Sequence, residues 1–112
     1  MTDDIKAAIA DEAKRIVSGE RRKAYGTPER NFDRIALFWS AYKNLVLERD
    51  LQRPLTPDEE LAAVFTAKDV AAMMRLMKEA RLIETPNHRD SYVDLVGYAL
   101  CGAEIALDGE QS

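Results

Sequence analysis

The stretch from Thr66 to Glu104 constrains the fold of this chain more than any other. It reads TAKDVAAMMRLMKEAR, then LIETPNH, then RDSYVDLVGYALCGAE. Apolar residues recur at helical spacing on both sides of the turn Thr85-Pro86-Asn87, so two helices form a hairpin. Thr66-Ala67-Lys68-Asp69 has the capping-box pattern that opens a helix. That helix, to about Leu82, is apolar around most of its circumference, through Val70, Ala71, Ala72, Met73, Met74, Leu76, Met77 and Ala80. Such a rod belongs in the middle of a bundle or between two chains.

The polar residues set into this hairpin are the candidates for chemistry. Asp69, Lys78 and Arg81 are expected to share one side of the first helix. The second starts at Asp90 or Ser91, and Asp90 and Asp94, four apart, project from one face with Tyr98 on the same line. Two carboxylates stacked in this way suit a hard divalent ion such as Mg²⁺. They equally suit a helix start, with Asp90 as N-cap and Ser91-x-x-Asp94 as a capping box. Gly97 and Gly102, with Ala99 and Ala103, allow another helix to approach closely.

Upstream the pattern is also helical. A first helix is predicted over Asp3 to Ser18, with Thr2 as its cap and a modest stripe of Ile5, Ala8, Ile9, Ala13, Ile16 and Val17. It is expected to lie peripherally or against a partner chain. A second is predicted from Pro28 to about Glu48, capped by Thr27, with proline at its first position. Its apolar residues, Phe32, Ile35, Ala36, Phe38, Trp39, Tyr42, Leu45 and Val46, are expected to form one wide core-facing surface. Thr56-Pro57-Asp58-Glu59 opens a short helix to about Val64. The paired acids Glu59 and Glu60 sit where a first turn favours negative charge, which accounts for them without a metal. Residues 108–112 are expected to fray.

Between the first two long helices lies GERRKAYGTPERN. Arg22, Lys23 and Tyr25 read in two ways, as cations and a ring facing a nucleotide, or as a solvated basic turn. The loop has no Walker-type glycine spacing. His88 reads as a solvated turn residue, and no nucleophile motif accompanies it.

With 112 residues, the chain suits a single domain. The net charge of −4 disfavours non-specific nucleic-acid binding. Cys101 is the only cysteine, which rules out an intramolecular disulfide and fits a reducing, cytoplasmic setting. No apolar run is long enough for a membrane span. The expected architecture is therefore an all-α bundle of four to five helices, completed by self-association into a homo-oligomer.

Four motifs carry a family resemblance: Tyr25-Gly26-x-Pro28, Trp39-Ser40-Ala41-Tyr42, Asp69-Val70-Ala71-x-Met73-Met74 and Asp90-Ser91-x-Val93-Asp94-x-x-Gly97-Tyr98. Over about two thirds of its length the chain resembles a family of small phage and prophage proteins of unknown function. More distantly it is similar to MazG-type, all-α nucleoside triphosphate pyrophosphohydrolases. That resemblance implies a nucleotide ligand and Mg²⁺ held by Asp90 and Asp94, which look like the second acidic helix of those enzymes; Asp69 is expected to complete the metal shell, with Asp69 and Asp94 as the catalytic carboxylates. On that reading Lys78 and Arg81 are expected to take phosphate oxygens, and Arg22, Lys23 and Tyr25 to close over the nucleotide, because these polar groups cluster at the ends of otherwise apolar helices. The Glu-x-x-Glu pair of the first acidic helix in those enzymes has no counterpart here, where the matching helix holds Asp69, Lys78, Glu79 and Arg81. The alternative reading is a non-enzymatic phage accessory protein acting through helix-mediated contacts with other proteins.

Overall fold

The computed structural model describes residues 2–19 and 27–108. Among them there are five helices: α1 Thr2–Ser18, α2 Pro28–Leu51, α3 Pro57–Ala62, α4 Ala67–Glu84 and α5 Arg89–Leu107. The described residues contain no strand, and no described helix is long and apolar enough to cross a membrane.

Helix starts follow local chemistry. Thr27 Oγ1 accepts from Arg30 N at 3.3 Å and opens α2. Reciprocal capping boxes open α3, through Thr56 and Glu59, and α4, through Thr66 and Asp69. Each ties up backbone N–H groups that a helix start leaves without partners. Gln52 ends α2 in the left-handed region, at φ 57°, with its N–H on Glu48 O.

The start of α5 departs from expectation. His88, not Asp90 or Ser91, is the N-cap, and no side chain closes the cap. Ser91 is fully buried, and its Oγ lies 2.7 Å from His88 Nδ1. The expected Ser91–Asp94 capping box is absent because the serine is turned into the protein. His88 is half-buried and bonded, not a freely solvated turn residue. Tyr92 Oη donates to Pro86 O at 2.8 Å and closes the turn before α5.

The most extensive helix contact is α4 on α5, as the hairpin pattern implies. Gly102 makes it close: a Cβ there would stand 3.4 Å from Ala71 Cβ. On the other side of α5, a Cβ on Gly97 would stand 3.4 Å from Val17 Cγ1, so α1 lies against α5. Small residues let the helix backbones approach. Arg89 on Glu12 adds an ion pair between the same two helices.

The core joins α2, α4 and α5. Phe32, Ala36, Ala67, Val70, Ala71 and Cys101 are buried together, with Trp39, Phe65 and Tyr98 packed against them. Val70 is wholly enclosed, a burial that contributes roughly 1.5–3 kcal/mol. Trp39 meets Phe65 edge-on at 5.9 Å. Ser40 Oγ donates to Ala36 O and accepts from Phe65 N at 2.9 Å, holding the α3–α4 link on α2.

One expectation about α2 needs correction. Its apolar residues do not form one core-facing surface. Phe32, Ala36 and Trp39 turn inward, while Leu37, Phe38, Tyr42 and Leu45 are 69%, 73%, 71% and 66% exposed. At 3.6 residues per turn the two sets lie about 150° apart. The helix is apolar on two sides and the fold covers one.

Candidate functional site

The residues singled out for chemistry fall into three places. Arg22, Lys23 and Tyr25 lie outside the described residues. Asp69 is exposed at the start of α4, where its Oδ2 accepts from Thr66 N at 2.9 Å and Thr66 Oγ1 at 3.1 Å. Its carboxylate is engaged by the helix start it belongs to.

The third place is the α4–α5 crossing. Lys78 Nζ lies 2.9 Å from Asp94 Oδ2, with side chains 16% and 35% exposed. Nine residues, two and a half turns, separate Lys78 from Asp69, so they leave opposite sides of α4 rather than sharing one. Arg81 and Asp90 are both exposed. Among the described residues no group of three or more His, Cys, Asp or Glu is placed to hold a metal ion. As arranged, Asp69 faces its own cap and Asp94 faces a cation. The three carboxylates Asp69, Asp90 and Asp94 are therefore not gathered at one point.

A shallow concavity of 430 Å³ lies between α1 and α5, lined by Asp11, Lys14, Val17, Val96, Leu100 and Glu104 among others. It contains none of the singled-out residues.

A two-pronged ionic contact outside the hairpin is structural in position. Arg53 grips Glu59 with two bonds, at 2.8 and 2.9 Å, while Glu59 also accepts from Thr56 N. The guanidinium, then the backbone amide, hold the Glu59 carboxyl down at about 2. Glu59 is thereby accounted for by the start of α3.

The feature that residue-by-residue motif reading passes over is apolar surface. On α2 it is the outer stripe through Phe38 and Leu45. On α4, Met73, Leu76, Met77 and Ile83 are exposed, while Val70, Ala71 and Leu82 face inward. α3 and the residues after it add Leu61 and Val64. The signal was present in the sequence: both long helices carry apolar residues around more than half of their circumference.

The chain exposes 8217 Å², whereas a compact monomer of its 12.6 kDa mass exposes about 6,200 Å². Its radius of gyration is 17.0 Å, against about 13 Å for a compact domain of 112 residues. Both figures exceed those of a compact domain of this size.

A family model described as Domain of unknown function (DUF6378) matches residues 8–106, which take in all of α2 to α4 and nearly all of α5. Over 98 residues the chain is 42% identical to the Gene 55 protein of Mycobacterium phage D29, covering 88% of this chain and 53% of the relative. Over 92 residues it is 38% identical to the Gene 55 protein of Mycobacterium phage L5, covering 82% and 48%. The chain spans about half the length of the curated relatives it matches. No solved structure matches it.

Proposed function

The chain belongs to the DUF6378 family, and on that footing we propose that it is an α-helical interaction module that acts by binding protein through the open apolar faces of α2 and α4. The observation that carries this reading is α2 itself. Its inner face builds the core, and its outer face presents Leu37, Phe38, Tyr42 and Leu45 with nothing over them among the described residues. Large apolar side chains at helical spacing are how one helix recognises another. The capping boxes account for Asp69 and Glu59, and Lys78 accounts for Asp94, so the prominent acids already have structural work.

The test is the behaviour of the apolar faces in solution. The wild-type chain should run above monomer mass, or bind an apolar dye when dilution holds it monomeric. Phe38→Glu should reduce either signal, and Leu76→Glu the dye signal, while both leave helix content unchanged. A wild-type chain that stays monomeric and silent to the dye at every concentration contradicts the reading.

A second reading is nucleotide binding, with Mg²⁺-dependent pyrophosphate release as in the MazG-type enzymes. What supports it is Lys78 alone, a cation held at the α4–α5 crossing that a phosphate would have to draw away from Asp94. Arg81 lies one turn beyond Lys78 on α4. Thermal-shift titration with a nucleotide panel, with and without Mg²⁺, tests it. A shift lost in Asp94→Asn supports this reading, and none across the panel removes it.

A further inference from the structure

We infer that the outer face of α2 is a twofold homodimer interface, two copies crossing antiparallel at Ala41. This rests on the interaction reading above and names the partner as a second copy of the chain.

The residues of the stripe are ordered about a centre. Leu37, Phe38, Ala41, Tyr42 and Leu45 lie on one side of α2, opposite Phe32 and Ala36. Ala41, the smallest, is in the middle, with Leu37 four residues before it and Leu45 four residues after. In a twofold contact, residue i meets residue j while j meets i. Antiparallel crossing at Ala41 places Leu37 against Leu45 of the other copy, twice. The alanine at the crossing point lets the helix axes approach to the short end of the usual 8–10 Å or so.

Charge follows the same symmetry. Arg34 is seven residues before Ala41 and Glu48 seven after, and heptad spacing keeps all three on one line. The antiparallel crossing sets Arg34 opposite Glu48 of the other copy at both ends of the stripe. A parallel crossing would set Arg34 against Arg34. Glu48 Oε1 receives Leu55 N at 3.5 Å, which leaves Oε2 for the guanidinium. An unrelated partner gives no reason for this internal matching.

The surface area agrees. The chain exposes 8217 Å², about 2,000 Å² more than a compact monomer of its size. A stable specific interface takes about 800 Å² from each partner.

The experiment is disulfide trapping in the full chain. Cys101 is buried, so the wild-type protein serves as the blank. Ala41→Cys puts a thiol on the twofold axis, where Cα atoms of the two copies come within the roughly 4.4–6.8 Å a disulfide needs. Mild oxidation should turn most of Ala41→Cys into a covalent dimer, and leave Leu76→Cys, on α4, largely uncoupled. Arg34→Glu should weaken dimerisation at least several-fold, and Arg34→Glu with Glu48→Arg should recover it. Coupling through Leu76→Cys but not Ala41→Cys overturns this inference and leaves the interaction reading standing. A wild-type chain that is monomeric throughout, with no coupling at Ala41→Cys, overturns it as well. Dye binding by that monomer then decides the broader reading separately.

Discussion

Lys78 on α4 and Asp94 on α5 meet at 2.9 Å, in the crossing of the two helices that share the most extensive contact in the fold. The lysine side chain is the more enclosed of the two. Removing either charge strands the other in a partly desolvated crossing. Asp94→Asn should therefore lower stability by about 1–2 kcal/mol, less than for a fully buried pair because solvent reaches the carboxylate. Lys78→Met with Asp94→Leu should recover most of that loss. Denaturant unfolding of Lys78→Met, Asp94→Leu and the double, as a cycle, measures the coupling. Additive losses would show that the pair contributes nothing as a pair.

The reciprocal bonds between Thr66 and Asp69 predict a stability loss, not a loss of chemistry. Thr66→Ala removes the cap of α4 and should cost about 1 kcal/mol, and Asp69→Ala a similar amount. Because each side chain accepts from the other's backbone N–H, the double variant should lose less than the sum. Thermal unfolding checks this.

Glycine at the helix crossings makes a prediction of opposite sign for two substitutions. At Gly102 a Cβ would meet Ala71 Cβ at 3.4 Å, ordinary contact. Gly102→Ala should raise stability by up to about 0.5–1 kcal/mol, through reduced freedom of the unfolded chain. Gly102→Leu should lower it by about 2 kcal/mol, since the longer side chain has to push α4 away. The midpoint of urea unfolding gives both values.

The Glu59 carboxyl sits at about 2 in the fold, against an ordinary value of 4.5. Between those values the unfolded chain binds the proton and the folded chain does not. The contribution of Glu59 to stability is complete above pH 4.5 and is lost as pH falls toward 2. The Glu59 side-chain carbon resonance should accordingly titrate near 2, and Arg53→Ala should return it toward its ordinary value. A midpoint near 4.5 in the wild-type chain would show that the Arg53 grip does not persist in solution.

How far the sequence discloses this molecule depends on the range of the interaction. Three helix starts were legible because Thr27, Thr56 and Thr66 act on amides within three residues of themselves. The α4–α5 hairpin was legible because its apolar spacing and its turn are local as well. Ser91 was not, since its Ser-x-x-Asp pattern gave way to burial and to His88. Asp69 leaves the opposite side of α4 from Lys78, because nine residues are two and a half turns and not a whole number. The divided loyalty of α2 was hidden for a different reason. Periodicity reports which residues are apolar but not whether a partner covers them, and Phe38 and Phe32 look alike until the fold is assembled. The sites proposed from the resemblance depended on side chains from two helices converging, which single-helix spacing does not determine.

The account stands on the outer stripe of α2 as a surface that a second copy covers. Sedimentation equilibrium of the wild-type chain and of Leu45→Glu across the micromolar range tests it most directly. The account predicts dimer mass for the wild type, and monomer mass for Leu45→Glu with unchanged helix content. A wild-type chain that sediments as a monomer throughout, or a Leu45→Glu chain that dimerises as well as the wild type, would contradict it.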